Sequence, residues 1–385
     1  MYPNLYYAFK DLFGLDLPFL RFVNTFGFFV AIAFLLAAWV LSNELSRKSK
    51  AGLFQPTETE ILIGEPAGWG ELLSNFLIGF LFGFKLLALF FLNEEITADP
   101  QAFLFSREGS WPLGLLIGAL FTFLKWREKN QRKLDKPEKR IIRIWPQDRV
   151  GEITMLALIF GLLGAKIFSI FEDWNSFTQD PLGTFFSPAG LTMYGGLICA
   201  AIAIWVYARK NQISIHNLND AAAPGLMLAY GVGRLGCHFA GDGDWGIPSK
   251  LSEKPGFLPD WLWSSHYAHN VLKMDTPLPA CDPNMWGEYC YQLGLAAYPT
   301  PLYEAITCIF LFGILMLLRN KVNIPGRIFS IYLIFNGLER FLIEKIRVNN
   351  RLDLFGFHPT QAEVISSTLI FAGLFLWFWQ GRRKS

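Results

Sequence analysis

Residues 221 to 246 read Ala-Ala-Ala-Pro-Gly-Leu-Met-Leu-Ala-Tyr-Gly-Val-Gly-Arg-Leu-Gly-Cys-His-Phe-Ala-Gly-Asp-Gly-Asp-Trp-Gly, an apolar run with one arginine near its end and an acidic glycine loop directly behind it. Within the run Gly225, Ala229, Gly233 and Cys237 recur every four residues, a stripe of small side chains that lets helices approach closely in lipid. Such a helix belongs at the centre of a bundle. A charge at membrane depth is costly, so Arg234 faces a protein or water-filled interior and meets an anion there, unless it is a helix-end arginine snorkelling to the headgroups. Positions 233 to 246 contain five glycines in fourteen residues, so the backbone there can approach a ligand closely.

The composition around this stretch excludes an ordinary soluble domain. Of 385 residues, 52% are hydrophobic and 37 are phenylalanine, and the mean hydropathy is +0.30; these values describe a polytopic membrane protein. The formal charge of +2 says little, because in such proteins the placement of Lys and Arg among the loops carries the information. A cleavable leader is not expected, since Asp11, Asp16 and Arg21 precede the first long apolar run. The five cysteines show no zinc or redox spacing. Cys281 and Cys290 share one polar loop, where either a disulfide or two free thiols fit.

Taken in order, Met1 to Leu20 is aromatic and mildly amphipathic, as for a segment lying on the outer leaflet. A first span over about Phe22 to Leu41 ends in the basic stretch Asn43 to Lys50, which marks the cytoplasmic side and puts the N-terminus outside. A second run, Leu72 to Leu92, leads to an acidic outer loop, Asn93 to Asp99. Lys85 inside it lines a polar interior, snorkels or contacts a neighbouring helix. Trp111 to Phe123 brings the chain back to Lys125–Arg149, where ten Lys or Arg face four Asp or Glu. Beside membrane spans the positive-inside rule explains that charge without nucleic acid. Glu152 to Phe171, Gly190 to Ala208, Ala221 to Phe239, Pro301 to Leu318, Gly326 to Ile343 and Pro359 to Gln380 complete about nine spans, and the C-terminal Arg382-Arg-Lys384 is cytoplasmic. The expected fold is an all-α transmembrane bundle. Residues 1–150 would hold the interfacial segment, three spans and the basic loop, and 151–385 the core bundle with an external cap at 241–300. His266 and His269 lie in that cap; without a companion cluster they read as surface residues rather than metal ligands.

Four features gather near the outer ends of spans in this topology. Arg234 stands with Asp242 and Asp244. Met193-Tyr-Gly-Gly-Leu197 places Gly195 and Gly196 beside Tyr194, either as space for a ligand or as a helix-packing notch. Pro301-Leu-Tyr-Glu304 sets a carboxylate at the start of a span, for a ligand or as a helix cap. Arg340, Glu344 and Arg347 are four and three residues apart and are expected on one helix face, where Glu344 can pair with both arginines. Guanidinium forks on two spans match the oxygens of a phosphate.

Gly233-Arg-Leu-Gly236 with Gly241-Asp242 and Trp245-Gly246, the Tyr-Gly-Gly-Leu run, Leu302-Tyr-Glu304, and Arg340 with Arg347 together resemble the prolipoprotein diacylglyceryl transferase family, over roughly residues 150 to 380. Asp220 before Ala221-Ala-Ala-Pro224 is also similar. The sequence departs from the family in several places. Cys237 and Ala240 stand where asparagines are usual, Asp242 replaces a glutamate, and Gly243 is extra. Tyr194 replaces the histidine of His-Gly-Gly-Leu, Phe26 a first-span tyrosine, and Leu72 to Leu92 resembles an insertion relative to seven-span members. The resemblance implies an enzyme of the bacterial inner membrane with its active site toward the periplasm. It would move the diacylglyceryl group of phosphatidylglycerol to the lipobox cysteine in the signal peptide of preprolipoproteins, releasing glycerol phosphate. No metal or cofactor is implied.

In that chemistry Arg234 and Arg340 bind the phosphate and stabilise it as it leaves, with Arg347 as a cation further out. Tyr194, Asp242 and Glu304 remain alternatives for thiol deprotonation or headgroup orientation. Gly195, Gly196, Gly241, Gly246, Tyr303 and Glu344 would complete the substrate contacts. Two rival readings stand. One is a lipid-binding or transport protein without catalysis. The other is an intramembrane aspartic protease, because Gly241-Asp-Gly-Asp244 spells Gly-x-Gly-Asp and Asp220 offers a partner.

Overall fold

In the computed structural model, which describes residues 1–88, 103, 106, 108–187, 190, 192–349, 353 and 357–382, the apolar runs become helices. In chain order these are α1 (Leu5–Phe13), α2 (Thr25–Lys50), α3 (Trp69–Leu81, continued by a π turn over Phe82–Leu87), α4 (Trp111–Gln131) and α5 (Val150–Glu172). They continue with α6 (Met193–Lys210), α7 (Ile215–Ala240), α8 (Thr300–Leu318), α9 (Arg327–Ile343) and α10 (Gln361–Arg382). Among the described residues, five helices are long and apolar enough to cross a membrane: Thr25–Lys50, Trp69–Leu87, Pro146–Glu172, Thr300–Leu318 and Gln361–Arg382. The expected acidic loop Asn93 to Asp99 and the terminal Arg383 and Lys384 lie outside the described residues.

The chain divides into two units, the first formed by Met1–Gln55, Pro146–Leu156 and Ala203–Ser385. Its centre is α7, which packs against α2, α8 and α9. The sequence stripe predicts one close-packed face, but the helix uses two. A Cβ at Gly225 would stand 3.1 Å from the Ala37 carbonyl oxygen, and one at Gly236 would stand 2.9 Å from the Phe29 Cβ, so both glycines face α2. Eleven residues separate them, about three turns at 3.6 residues each. Gly231 faces α8 instead, with Cys308 and Ala305 about as close, while Gly233 has nothing within 4 Å. Below them Leu41, Leu45, Leu218 and Ala221 form one apolar cluster, and Met227, Cys308, Leu315 and Ile328 form another.

Residues 241–299 of this unit run as turns and single helical turns, with one short pairing of Thr276–Pro277 with Tyr291–Gln292. A disulfide joins Cys281 to Cys290. Of the two histidines expected on the surface, His266 is exposed, with its Nδ1 2.9 Å from the Leu293 carbonyl oxygen, whereas His269 is half-buried, with its Nδ1 2.9 Å from that of Tyr289. The His269 ring also stacks on Trp286 with centroids 3.6 Å apart. Trp286 packs in turn on Tyr7 of α1, so the aromatic N-terminal segment is bound to the cap.

The second unit comprises Pro56–Trp145 and Ala157–Ile202. The helices α3 and α4 form a hairpin whose backbones meet at glycines: a Cβ at Gly79 would stand 2.8 Å from the Ile117 carbonyl, and one at Gly83 would stand 2.4 Å from that of Leu113. Lys85 neither snorkels nor lines a channel. Its ammonium donates to the carbonyls of Phe103, Ser106 and Glu108 at 2.7 Å each, tying down the turn before α4. The basic stretch holds structure that its charge concealed. Thr57–Ile63 and Glu138–Ile144, here β1 and β2, pair antiparallel, with Arg143 against Glu58 and Lys139 against Glu60 across the strands. The fold is therefore mostly helical rather than wholly so.

Candidate active site

α7 ends where Gly241 takes a left-handed conformation (φ 63°), its N–H reaching the Cys237 carbonyl at 3.0 Å, and Gly243 follows at φ 99°. Only glycine holds such angles at little cost. The turn brings Asp244 back over Arg234, which lies in the last two turns of the helix. The Thr300 hydroxyl at the start of α8 donates to the Asp244 carbonyl at 2.6 Å and fixes the loop on that helix. Beyond α9, residues 344–346 form a tight turn and Arg347 runs extended beside Gly246, with the Ile247 N–H donating to Ile346 O at 2.9 Å. A Cβ at Gly246 would stand 2.6 Å from the Ile346 carbonyl, so this glycine is where the two chains cross.

These elements converge on Glu304, which is fully buried on the first turn of α8. Its Oε1 accepts from Arg340 Nη1 at 2.7 Å and from the Tyr230 hydroxyl at 3.4 Å. Its Oε2 lies 2.9 Å from Arg234 Nε and 3.6 Å from Arg347 Nη1, ion contacts whose angles fall short of hydrogen bonds. One carboxylate thus gathers guanidiniums from α7, α9 and the segment after α9. Asp244 binds two of the same arginines, its Oδ2 paired with Arg234 and its Oδ1 with Arg347. Glu344 contacts Arg340 at 3.0 Å and accepts from Asn349 at 2.7 Å. Arg347, whose side chain is 7% exposed, keeps Nε and Nη1 without a hydrogen-bond partner.

The two loop aspartates experience opposite fields. Burial raises the Asp242 carboxyl above the usual range and the neighbouring charge of Asp244 adds to the rise. For Asp244 burial works in the same direction, but Arg234 and Arg347 outweigh it and hold its carboxyl below the usual range. Two acids whose environments push them apart divide naturally into a proton acceptor and a fixed anion. Cys237, Asp242 and Asp244 bring their ligand atoms within 4.8 Å of one another. A cation there would have to displace two guanidiniums from Asp244.

The structure therefore brings together Arg234, Arg340, Arg347, Glu304, Glu344, Asp242 and the Gly241 and Gly246 turns. Tyr303 stands beside them and ties the cap to α8, its hydroxyl donating to the Leu262 carbonyl at 2.6 Å. Tyr194, Gly195 and Gly196 belong to the second unit, on the first turn of α6. There the glycines serve as a packing notch: a Cβ at Gly195 would stand 2.4 Å from that of Phe168, and one at Gly196 would stand 2.8 Å from the Gly161 carbonyl. Tyr230, one helical turn before Arg234, was missed by sequence reasoning, although its i, i+4 spacing places it on the arginine's face. Its ring lies under the guanidinium at 5.2 Å. Asp220, the partner a protease would need, is 14 residues before Arg234, about 21 Å along the helix. Its two oxygens accept from the N–H groups of Gly326 and Phe329 at 2.8 and 2.9 Å.

A bundle of apolar, membrane-length helices that gathers three half-buried arginines beside a glycine-rich loop defines an integral membrane protein with a cluster of guanidiniums at one end of its central helix. The chain matches the family described as prolipoprotein diacylglyceryl transferase over residues 110–379. It belongs to that family. Among its relatives, the phosphatidylglycerol–prolipoprotein diacylglyceryl transferase of Shouchella clausii is 28% identical over 270 residues, covering 70% of this chain and 83% of that protein. The protein of the same name from Dehalococcoides mccartyi is 25% identical over 294 residues, covering 75% and 96%. That of Streptococcus pneumoniae is 28% identical over 255 residues, covering 65% and 84%.

Proposed function

We propose that this protein transfers the diacylglyceryl group of phosphatidylglycerol to the lipobox cysteine thiol of a preprolipoprotein, releasing glycerol phosphate. The observation that carries the reading is the convergence of Arg234, Arg340 and Arg347 on Glu304 and Asp244, with two Arg347 nitrogens unbonded. Three guanidiniums held by fixed carboxylates form a preorganised field for a phosphate that gains charge as it departs. Asp244, offering one oxygen to each of two arginines, marks where two phosphate oxygens would lie. The donor phosphate takes that position as the Asp244 side chain, 30% exposed, swings outward on its glycine loop.

In the transfer step the cysteine sulfur bonds to the glyceryl carbon, the bond from that carbon to the phosphate oxygen breaks, and its electron pair stays on that oxygen. The thiol, with a pKa of about 8.5, must first lose its proton. Asp242 receives it: burial and the Asp244 charge make it the more basic of the two aspartates. Glu304, enclosed by three arginines, orients them rather than taking a proton. Tyr303 holds the cap over the site, and Tyr194, Gly195 and Gly196, which belong to the second unit, are given no part in this step.

The same reading gives nine spans, the N-terminus and this site on the periplasmic face of the inner membrane, and the C-terminus in the cytoplasm. Residues 151–385 form the transferase core. Incubating the purified protein with phosphatidylglycerol and a lipobox peptide should give a thioether-linked diacylglyceryl adduct by mass spectrometry. Its absence with the wild-type chain, or an undiminished yield from Arg234→Ala, would refute the reading.

A further inference from the structure

Glu339 is the one member of the charged cluster that the reaction above does not use. It precedes Arg340 on α9 but points to a different helix face, is 6% exposed, and has no hydrogen bond to either carboxylate oxygen. Its charge would be felt by Glu304 of α8 first, then by Arg340, by Arg234 of α7 and by Arg347. Tyr230 of α7 and Cys308 of α8 also lie within its field. A buried carboxylate without hydrogen bonds is strongly disfavoured, whereas the uncharged acid is tolerated at far lower cost.

The charge balance points the same way. Arg234, Arg340 and Arg347 are matched by three ion-paired carboxylates, those of Asp244, Glu304 and Glu344. Asp242 and Glu339 are two further acids without an ion pair, and of the two only Glu339 is buried, Asp242 lying on the half-buried loop. When a donor phosphate replaces Asp244, the three guanidiniums keep two ion-paired carboxylates, which leaves room among the paired groups for one negative charge. A phosphodiester carries one. An ionised Glu339 would already fill that place.

We propose that Glu339 is a positioning residue kept as the uncharged acid, and that its neutrality opens the arginine cluster to singly charged phosphodiester headgroups. This inference rests on the donor reading given above. A phosphomonoester, nearly doubly charged at neutral pH, overfills the same place, which disfavours phosphatidic acid as a donor and favours departure of glycerol phosphate after transfer.

The test combines binding with infrared spectroscopy. Binding of phosphatidylglycerol in detergent is measured from pH 6 to 9.5 without peptide, for the wild-type chain and for Glu339→Gln. The wild-type affinity should fall with rising pH, by up to tenfold per pH unit once Glu339 ionises, and the Glu339→Gln affinity should fall distinctly less, by the share that Asp242 contributes. At pH 6 the wild-type spectrum should contain a protonated-carboxyl stretch that disappears at pH 9.5 and is missing from the variant. Matching pH profiles, a uniform loss of affinity in the variant, or the lack of that stretch in the wild type at pH 6 each overturn the proposal. Should the variant fail to fold, the infrared titration of the wild type alone decides whether Glu339 is uncharged. A wild-type chain that binds no phosphatidylglycerol at any pH refutes the donor reading instead, and the stretch still reports on Glu339.

Discussion

Two clusters of buried charge lie at opposite ends of α7, and they are built for different purposes. At the Asp220 end, Glu44 pairs with Arg47 at 2.8 Å and with Arg319, while Lys48 contacts Asp220 at 3.4 Å and Asn217 at 3.3 Å. Asp220 also accepts two N–H groups from the start of α9, where a negative charge complements the helix dipole. Among the described residues, the buried side-chain polar atoms there without a hydrogen bond are single Nε atoms of Arg319 and Arg327. At the Arg234 end the same residue types leave two nitrogens of Arg347 and both oxygens of Glu339 without hydrogen bonds, next to a loop turning on two glycines. The first cluster fastens helices together. The second retains unspent donors, and unspent buried donors are what a ligand can satisfy.

The sharpest way to break the comparison is to remove one charge from each end. Arg340→Ala should lower kcat/KM for lipid transfer by roughly 10²–10³, the usual cost of losing one preorganised donor, and an adduct assay at matched folded protein will show it. Asp220→Ala should instead destabilise the fold by about 3–5 kcal/mol, because it leaves Lys48 buried without its partner. Thermal unfolding in detergent measures that loss, and the specific activity of the surviving folded fraction should stay near wild type. A reversal of these two phenotypes would mean that the ends have been assigned the wrong way round.

The loop aspartates refine the contrast within the site. Because Asp242 is raised by burial and by Asp244, activity should decline as pH falls through its raised value, since a protonated acid cannot accept the thiol proton. Asp242→Asn should lower the rate and remove that acid limb from the profile. The lowered carboxyl of Asp244 makes a separate prediction. Its stabilising pairs with Arg234 and Arg347 are fully present above the ordinary aspartate value of about 3.9 and are lost as pH falls through its lower folded value. The smallest effect should come from the cap: Cys281→Ser with Cys290→Ser should cost about 2–3 kcal/mol by the loop-entropy estimate for a short ring, measured as a shift in the thermal midpoint.

The sequence made one class of residue legible and concealed another. Arg234, Glu304, Arg340, Glu344 and Arg347 stand out because charges inside apolar runs are expensive and need a reason. Helical spacing foretold the pair of Arg340 with Glu344 on one face, but α9 ends at Ile343, and Arg347, in extended backbone, pairs with Asp244 and Glu304 instead of Glu344. Glu339 escaped because it lies off that face, and a carboxylate next to an arginine reads as an ordinary pair until burial and missing hydrogen bonds are known. The strands Thr57–Ile63 and Glu138–Ile144 escaped because the basic charge of the second suggested only a cytoplasmic loop. His266 is on the surface as its sequence suggested, whereas nothing local announces that Trp286 half-encloses His269. Pairings across many residues, such as Gly246 with Arg347, are set by tertiary packing, and no local pattern encodes them.

The most direct measurement follows glycerol phosphate release and loss of the lipobox peptide thiol together, in phosphatidylglycerol mixed micelles containing the purified protein. The account predicts that both proceed one for one with the wild-type chain and stop together in Arg234→Ala and Arg340→Ala. Release of glycerol phosphate without loss of the thiol, or equal progress in the arginine variants, would contradict it.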